Sequence, residues 1–262
     1  VVGASPDTKK VGHQILKKLT IAKSINLYPV NPKRKEILGL TCYPSILDIK
    51  GSLDLVIIVI PAFLIPEIIE QSVTKKVGAV VIVSSGFSET GPAGHKLEQK
   101  VKQIIKKTNI SLLGPNCLGF ANPKLNLDIT FAKASPPKGN IALASQSGAV
   151  GSFLFDWANK ENLGFSKFLS LGNRAGLTET KILENLKNDP DTKVIGLYLE
   201  SFANGSEFLK IASQVTKTKP VIVLFGGQTE FGKTAAKSHT AALSPKSSVI
   251  NTVLKQSGCI HA

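Results

Sequence analysis

Short apolar runs and stretches of helical period alternate along the whole chain. Runs rich in β-branched residues predict strands at 25–30, 55–60, 79–84, 111–113, 141–145, 167–171, 194–199 and 221–225. Between them, apolar residues recur at helical spacing: Val11, Ile15, Leu16, Leu19; Leu97, Val101, Ile104, Ile105; Val150, Phe153, Leu154, Trp157; and Phe208, Ala212, Val215. Unbroken runs such as Leu55 to Ile60 suit strands covered on both faces, which means parallel sheets between helix layers. The expected class is α/β, doubly wound. No helix or strand pattern crosses 132–140, where Pro136-Pro137-Lys138-Gly139 sits, so two domains are expected, 1–132 and 138–262.

Composition narrows the classes. The 262 residues are 42% hydrophobic and 19% charged, too apolar for a disordered chain. The longest apolar run is broken by Pro61 and ended by Pro66-Glu67, short of a membrane span, and no signal-peptide pattern is present. Three widely spaced cysteines, Cys42, Cys117 and Cys259, argue against a disulfide framework or a zinc site. They fit a reducing cytosol, and no metal ligands are assigned. The formal charge is +14, yet only Arg34 and Arg174 among the 32 basic residues are arginine. Base-reading proteins lean on the arginine fork, so a lysine-biased surface is the better reading and nucleic acid is not expected. There is no Met, and Val1-Val2-Gly3 reads as a strand already under way, which leads us to expect a fragment.

In parallel sheets ligands gather at the carboxyl ends of strands, beside helix N-termini. The first such turn is Gly3-Ala4-Ser5-Pro6, with Gly12 opening the helix. The second strand ends at Asn31-Pro32-Lys33, with a cation where an NAD site wants an acid. Lys33 therefore favours a ligand with an extra phosphate, such as NADP or the 3′-phosphorylated adenosine of coenzyme A. Further turns lie at Val83-Ser84-Ser85-Gly86 and at Gly114 to Gly119, around Asn116 and Cys117. Cys117 has no base near it in sequence and reads as a packing residue. Ser145-Gln146-Ser147-Gly148 at a helix start offers hydroxyls and free N–H groups to an oxyanion, and Gly172-Asn173 is a second such turn. The flanks of Ser147 lack the glycines of a nucleophile elbow. His13 and His95 are expected on solvated helix faces and His261 at the C-terminal edge. His239 sits in a small-residue run after Gly226, Gly227 and Gly232, where an imidazole can be presented bare.

Taken in order, these motifs resemble the NDP-forming acyl-CoA synthetases, the superfamily of succinyl-CoA synthetase, and above all the α subunit of the ADP-forming acetyl-CoA synthetases. The stretches that carry the resemblance are 3–6, 28–33, 86–89, 114–119, 145–149, 170–173, 198–200 and 238–240, which together span the chain. The resemblance implies a Rossmann-like CoA-binding domain followed by a flavodoxin-like succinyl-CoA-ligase-type domain. It implies CoA held by Gly3, Ala4, Ser5, Pro6, Gly12, Asn31, Lys33, Val83, Ser84, Ser85, Asn116 and Cys117. It implies phosphorylation of His239, with Glu200 as its carboxylate partner. Ser145, Gln146, Ser147, Gly148, Gly172 and Asn173 would hold phosphate.

A nucleotide (ADP/ATP) with Mg would be bound by an ATP-grasp region, a separate β subunit or a fused domain, and the family's third α-subunit domain is also expected outside this chain. A cytoplasmic hetero- or homo-oligomer is expected. Four positions depart from the family: Ala241 where Gly usually follows Ser-His-Thr, Gly176 and Glu179 near usual acids, and Phe225 for a common Lys. Two other readings stand beside this one: a non-catalytic CoA-binding or regulatory module, and an NADP-linked oxidoreductase.

Overall fold

The computed structural model describes residues 1–22, 25–227 and 247–262. Its N-terminal half centres on three parallel strands, β3 (Leu55–Ile58), β4 (Ala79–Ile82) and β5 (Ser111–Leu113). Single-residue parallel bridges extend this sheet: Val2 pairs with Ile58 and Val30, and Val30 with Tyr43. Numbered in chain order, the six parallel lines run 3-2-1-4-5-6, the doubly wound dinucleotide-fold order. Residues 25–30, expected as a strand, make only the bridge at Val30. The turn at Pro29 and Asn31-Pro32 leaves no room for a longer ladder, because proline cannot donate to it. A short hairpin, β1 (Glu36–Ile37) with β2 (Leu40–Thr41), follows that turn. Helices α1 (Val11–Leu19), α2 (Ile65–Thr74) and α3 (Pro92–Lys106) cover the sheet.

The C-terminal half is a seven-stranded sheet. Its parallel members are β8 (Lys138–Ser145), β9 (Phe165–Ser170), β10 (Val194–Leu199), β11 (Val221–Phe225) and β12 (Ile260–His261). They run spatially 2-1-3-4-5 in chain order, the flavodoxin arrangement. The antiparallel hairpin β6 (Phe120–Asn122) and β7 (Leu127–Asp128) completes the sheet beside β9. That hairpin precedes 132–140 in sequence yet pairs with the second sheet, a long-range pairing that no local pattern announces.

Helices α4 (Gly148–Lys160), α5 (Glu179–Lys187), α6 (Gly205–Val215) and α7 (Ser247–Gln256) flank it. Side chains of Ser147, Thr178 and Asn204 cap the first three by accepting from backbone N–H groups. The expected face of α4 is corrected. Gly151, Phe155 and Ala158 are buried, whereas Phe153 is 67% and Trp157 45% exposed. Gly151 explains the rotation: a Cβ there would press into the Phe168 ring, so this is the side that reaches the sheet.

The two halves meet along a backbone seam. Asn173 N, Ala175 N and Leu177 N donate to the carbonyls of Pro115, Gly114 and Leu112 at 2.9, 2.9 and 2.8 Å. A Cβ at Gly172 would overlap the Pro115 carbonyl, and one at Gly176 the Leu112 carbonyl. A second junction joins α1 to the hairpin. Asp128 accepts from Lys18 Nζ at 2.8 Å, Ser135 Oγ at 2.6 Å, Thr130 Oγ1 at 2.7 Å and Thr130 N at 2.9 Å. Its carboxylate thus has four donors in a largely dehydrated position. Asp128→Ala strands them, and the expected cost is about 3 kcal/mol. Urea denaturation checks this; a change below about 0.5 kcal/mol, typical of exposed surface sites, refutes it.

Candidate functional site

The first turn is shaped by two glycines. Gly3 has φ +89°, and a Cβ there would overlap the Val59 carbonyl; a Cβ at Gly12 would overlap the Gly3 carbonyl. A side chain at Gly3 would drive the first turn away from Val59, and one at Gly12 would push α1 off that turn. His13, expected in solvent, is buried with Nδ1 at 3.0 Å from the Ser5 carbonyl oxygen, because its helix face packs on this turn. Asn31 donates from Nδ2 to the Ala4 carbonyl at 2.8 Å and accepts from Lys33 N at 2.9 Å, so it joins the second turn to the first. The Lys33 side chain is exposed.

A cleft of about 500 Å³ opens at the seam between the halves. Val83, Ser84, Ser85, Asn116 and Cys117 line it from the first half; Gln146, Ser147, Gly148, Gly172 and Asn173 line it from the second. Val11 and Val59 extend it toward the first turn, while Gly3 to Pro6, Gly12, Asn31, Lys33, Ser145 and Glu200 are not among its walls. Ser147 caps α4 through its Oγ, which accepts from Val150 N at 3.3 Å, and the free N–H groups of that helix start add positive potential. Ser145 is fully buried, and its Oγ donates to the Ser147 carbonyl at 2.7 Å, bracing the turn from behind. Ser84 Oγ donates to the Ile60 carbonyl at 2.6 Å. Cys117 is buried with Sγ 3.3 Å from the Ile82 carbonyl oxygen, and desolvation pushes its thiol up to about 12.

Asn173 is committed within the protein. Its Nδ2 donates to Glu89 Oε2 at 2.6 Å and Glu98 Oε2 at 2.9 Å, and its Oδ1 accepts from Asn116 Nδ2 at 3.3 Å. The side chain therefore ties the halves together, and the Asn173 main-chain N–H is committed too, to the Pro115 carbonyl. Glu89 also accepts from Gly86 N at 2.6 Å and Phe87 N at 3.1 Å, fixing the turn after β4. Glu89 and Glu98 were not singled out by sequence. Glu89 lay inside the quoted Gly86-to-Glu89 stretch, but Glu98 reads as one more polar residue of α3.

The switch point of the second sheet lies between the carboxyl ends of β8 and β10, where Gln146 meets Glu200. Gln146 turns its side chain to the main chain at Glu200 and Ser201. Glu200 is 9% exposed, beside Gly226 at the end of β11, and together with burial its charge raises the Tyr198 hydroxyl pKa. His239 and Ala241 lie outside the described residues. Gly176 has no room for the acid expected nearby, since it packs on Leu112. Phe225 is buried, its ring centroid 5.1 Å from that of Phe202.

Burial works against the Glu98 charge, but hydrogen bonds from Lys102, Asn173 and Ser88 hold its pKa below the usual carboxylate value. A depressed folded pKa contributes stability above the unfolded pKa, about 4.3, and that stability is lost as pH falls through the folded value. Glu98→Gln should flatten this acid limb of unfolding free energy against pH; an unaltered limb refutes the role. Cys117 should resist iodoacetamide at pH 8 until denaturant is added. Rapid alkylation of the folded protein, mapped to Cys117, would overturn its assignment as a sealed packing residue.

Comparison with known proteins matches a separate family to each half. The family described as "CoA binding domain" matches residues 1–123, and "Succinyl-CoA ligase like flavodoxin domain" matches 138–262. The whole chain is 44% identical to an ADP-forming acetate–CoA ligase of Methanocaldococcus jannaschii, spanning 37% of it. It is 40% identical to the α subunit of ADP-forming acetate–CoA ligase II of Pyrococcus furiosus, spanning 57% of that chain. Among solved structures, the dinucleotide-forming acetyl-coenzyme A synthetase 1 of Candidatus Korarchaeum cryptofilum, in complex with phosphate and ADP, superposes with a TM-score of 0.94. That match is 36% identical and covers all of this chain and 57% of the other. The chain thus spans between about a third and three-fifths of these relatives. With both half-chain families in tandem and relatives aligned from end to end, it belongs to the NDP-forming acyl-CoA synthetase superfamily, as its α-like portion.

Proposed function

We propose that this chain is the CoA-binding and phosphoryl-relay portion of an ADP-forming acyl-CoA synthetase. The observation that carries the reading is the cleft at the seam, walled by the strand-end turns at 83–85 and 116–117 on one side and by the α4 N-terminus on the other. In this reading CoA lies along the first half, with Gly3 to Pro6, Gly12, Asn31 and Lys33 toward its phosphates and Asn116 toward its thiol. Phosphate sits at Ser147, Gly148 and the Gly172 main chain. Phosphate attacks the acyl-CoA carbonyl, the C–S bond breaks, and CoA thiol and acyl phosphate result. His239 then attacks phosphorus through its neutral nitrogen, releasing the carboxylic acid and leaving phosphohistidine. Transfer to ADP regenerates histidine and gives ATP.

A carboxylate on the second ring nitrogen fixes the tautomer and supports the charge that develops, which is the role we give Glu200. The α4 dipole stabilises the transferring group with little reorganisation. The nucleotide and Mg would be held by an ATP-grasp region, fused or separate, and the assembly would be an oligomer of the cytoplasm. Among the described residues no helix is long and apolar enough to cross a membrane.

Incubation of the full-length, assembled enzyme with Mg-ATP should produce acid-labile, base-stable phosphate. His239→Ala should abolish it, and Glu200→Ala should slow its formation about 10²- to 10⁴-fold. Label that persists in His239→Ala removes the relay from this chain. In calorimetric titration the enzyme should bind CoA in preference to NADPH, and the reverse order would restore the oxidoreductase reading.

A further inference from the structure

Glu200 stands just past the end of β10. Side chains from two separate turns hold the main chain here, Gln146 at Glu200 and Ser201 and Arg174 at Ser201. Gln146 Oε1 accepts from Glu200 N at 2.7 Å and from Ser201 N at 3.2 Å, while Gln146 Nε2 donates to the Ser201 carbonyl at 2.8 Å. Arg174 Nη1 donates to the same carbonyl at 2.8 Å, and Nη2 to Ser201 Oγ at 2.6 Å. The fork is steadied in turn by Glu179, which accepts from Nη1 at 3.1 Å and from Ala203 N at 2.6 Å.

Arg174 reaches this place from a left-handed backbone, φ +58°, a conformation that residues with a Cβ adopt only under constraint. It is also one of only two arginines in the chain. Lysine, with a single point charge, has no planar fork to span Ser201 O and Ser201 Oγ together. Gln146 belongs to the turn that opens α4, and Arg174 follows Gly172-Asn173, so both phosphate-side turns are braced against the segment that carries Glu200. The Gln146 amide bonds main chain through both its atoms, which leaves one Nε2 hydrogen for the cleft.

We infer that Gln146 and Arg174 are positioning residues that fix the backbone at Glu200 and so hold its carboxylate in one attitude toward the phosphorylated histidine. The inference rests on the role proposed for Glu200. Misplacement of a reacting partner by about 1 Å can cost a hundredfold in rate. In the full-length assembled enzyme, Gln146→Met and Arg174→Lys should each slow phosphohistidine formation by about tenfold to a hundredfold, with the KM for acyl-CoA within about twofold of the parent. Guanidinium ion should restore part of the rate lost in Arg174→Ala, and none of that lost in Gln146→Met.

The deciding comparison is a double-mutant cycle. In a Glu200→Gln background, Gln146→Met and Arg174→Lys should cost nothing further, because they act through Glu200. Losses of undiminished size in that background overturn the inference and leave the role of Glu200 intact. An unchanged rate in Glu200→Gln alone overturns the role of Glu200 and this inference with it. Should Arg174→Ala fail to fold, Gln146→Met and Arg174→Lys still complete the cycle.

Discussion

The close approach of two backbones between residues 112–119 and 170–177 is the constraint on which the rest depends. Main-chain N–H groups of Asn173, Ala175 and Leu177 meet carbonyls of the first half directly. Such contact requires that no Cβ intervene, so Gly172 and Gly176 are fixed by geometry. Gly114, with φ +90°, bends the other strand of the seam against the Ile82 carbonyl. Once these segments are in register, the strand-end turns of both sheets have nowhere to face but each other, and the cleft between them is a consequence.

Electrostatics then assigns each side its task. Carboxylates at the seam, Glu89 and Glu98, are spent on backbone N–H groups and on the Asn173 amide. What remains facing the cleft on the second side is a helix N-terminus and main-chain N–H groups, which favour an anion. Burial also silences Cys117, so the one cysteine on the cleft wall adds shape and no nucleophile. Pairing of β10 with β11 sets Glu200 beside Gly226.

Much of the fold is legible in the residues. Runs such as 194–199 and 221–225 coincide with β10 and β11, because a strand buried on both faces must be apolar throughout. The strand-end motifs at 83–85, 116–117 and 146–148 do share one cleft, since parallel sheets gather their carboxyl ends. The buried face of α4 was not legible: its stripe of Phe153 and Trp157 has the right period, but Gly151 decides which side can approach the sheet. The burial of His13 is similar, because a polar residue on an amphipathic helix is inside or outside according to what packs there.

The sequence by itself determined the alternation of strands and helices, the parallel sheets and the chemistry available at each turn, all of which follow from local periodicity and residue type. Only the tertiary structure decided which turns meet. The hairpin 120–128 joins the distant sheet, Asn173 becomes a tie between halves, and the Gln146 amide bonds the Glu200 main chain. These outcomes depend on contacts between residues far apart in the chain. A hydrogen-bonding group has several possible partners, and its neighbours in space, which no local pattern records, choose among them.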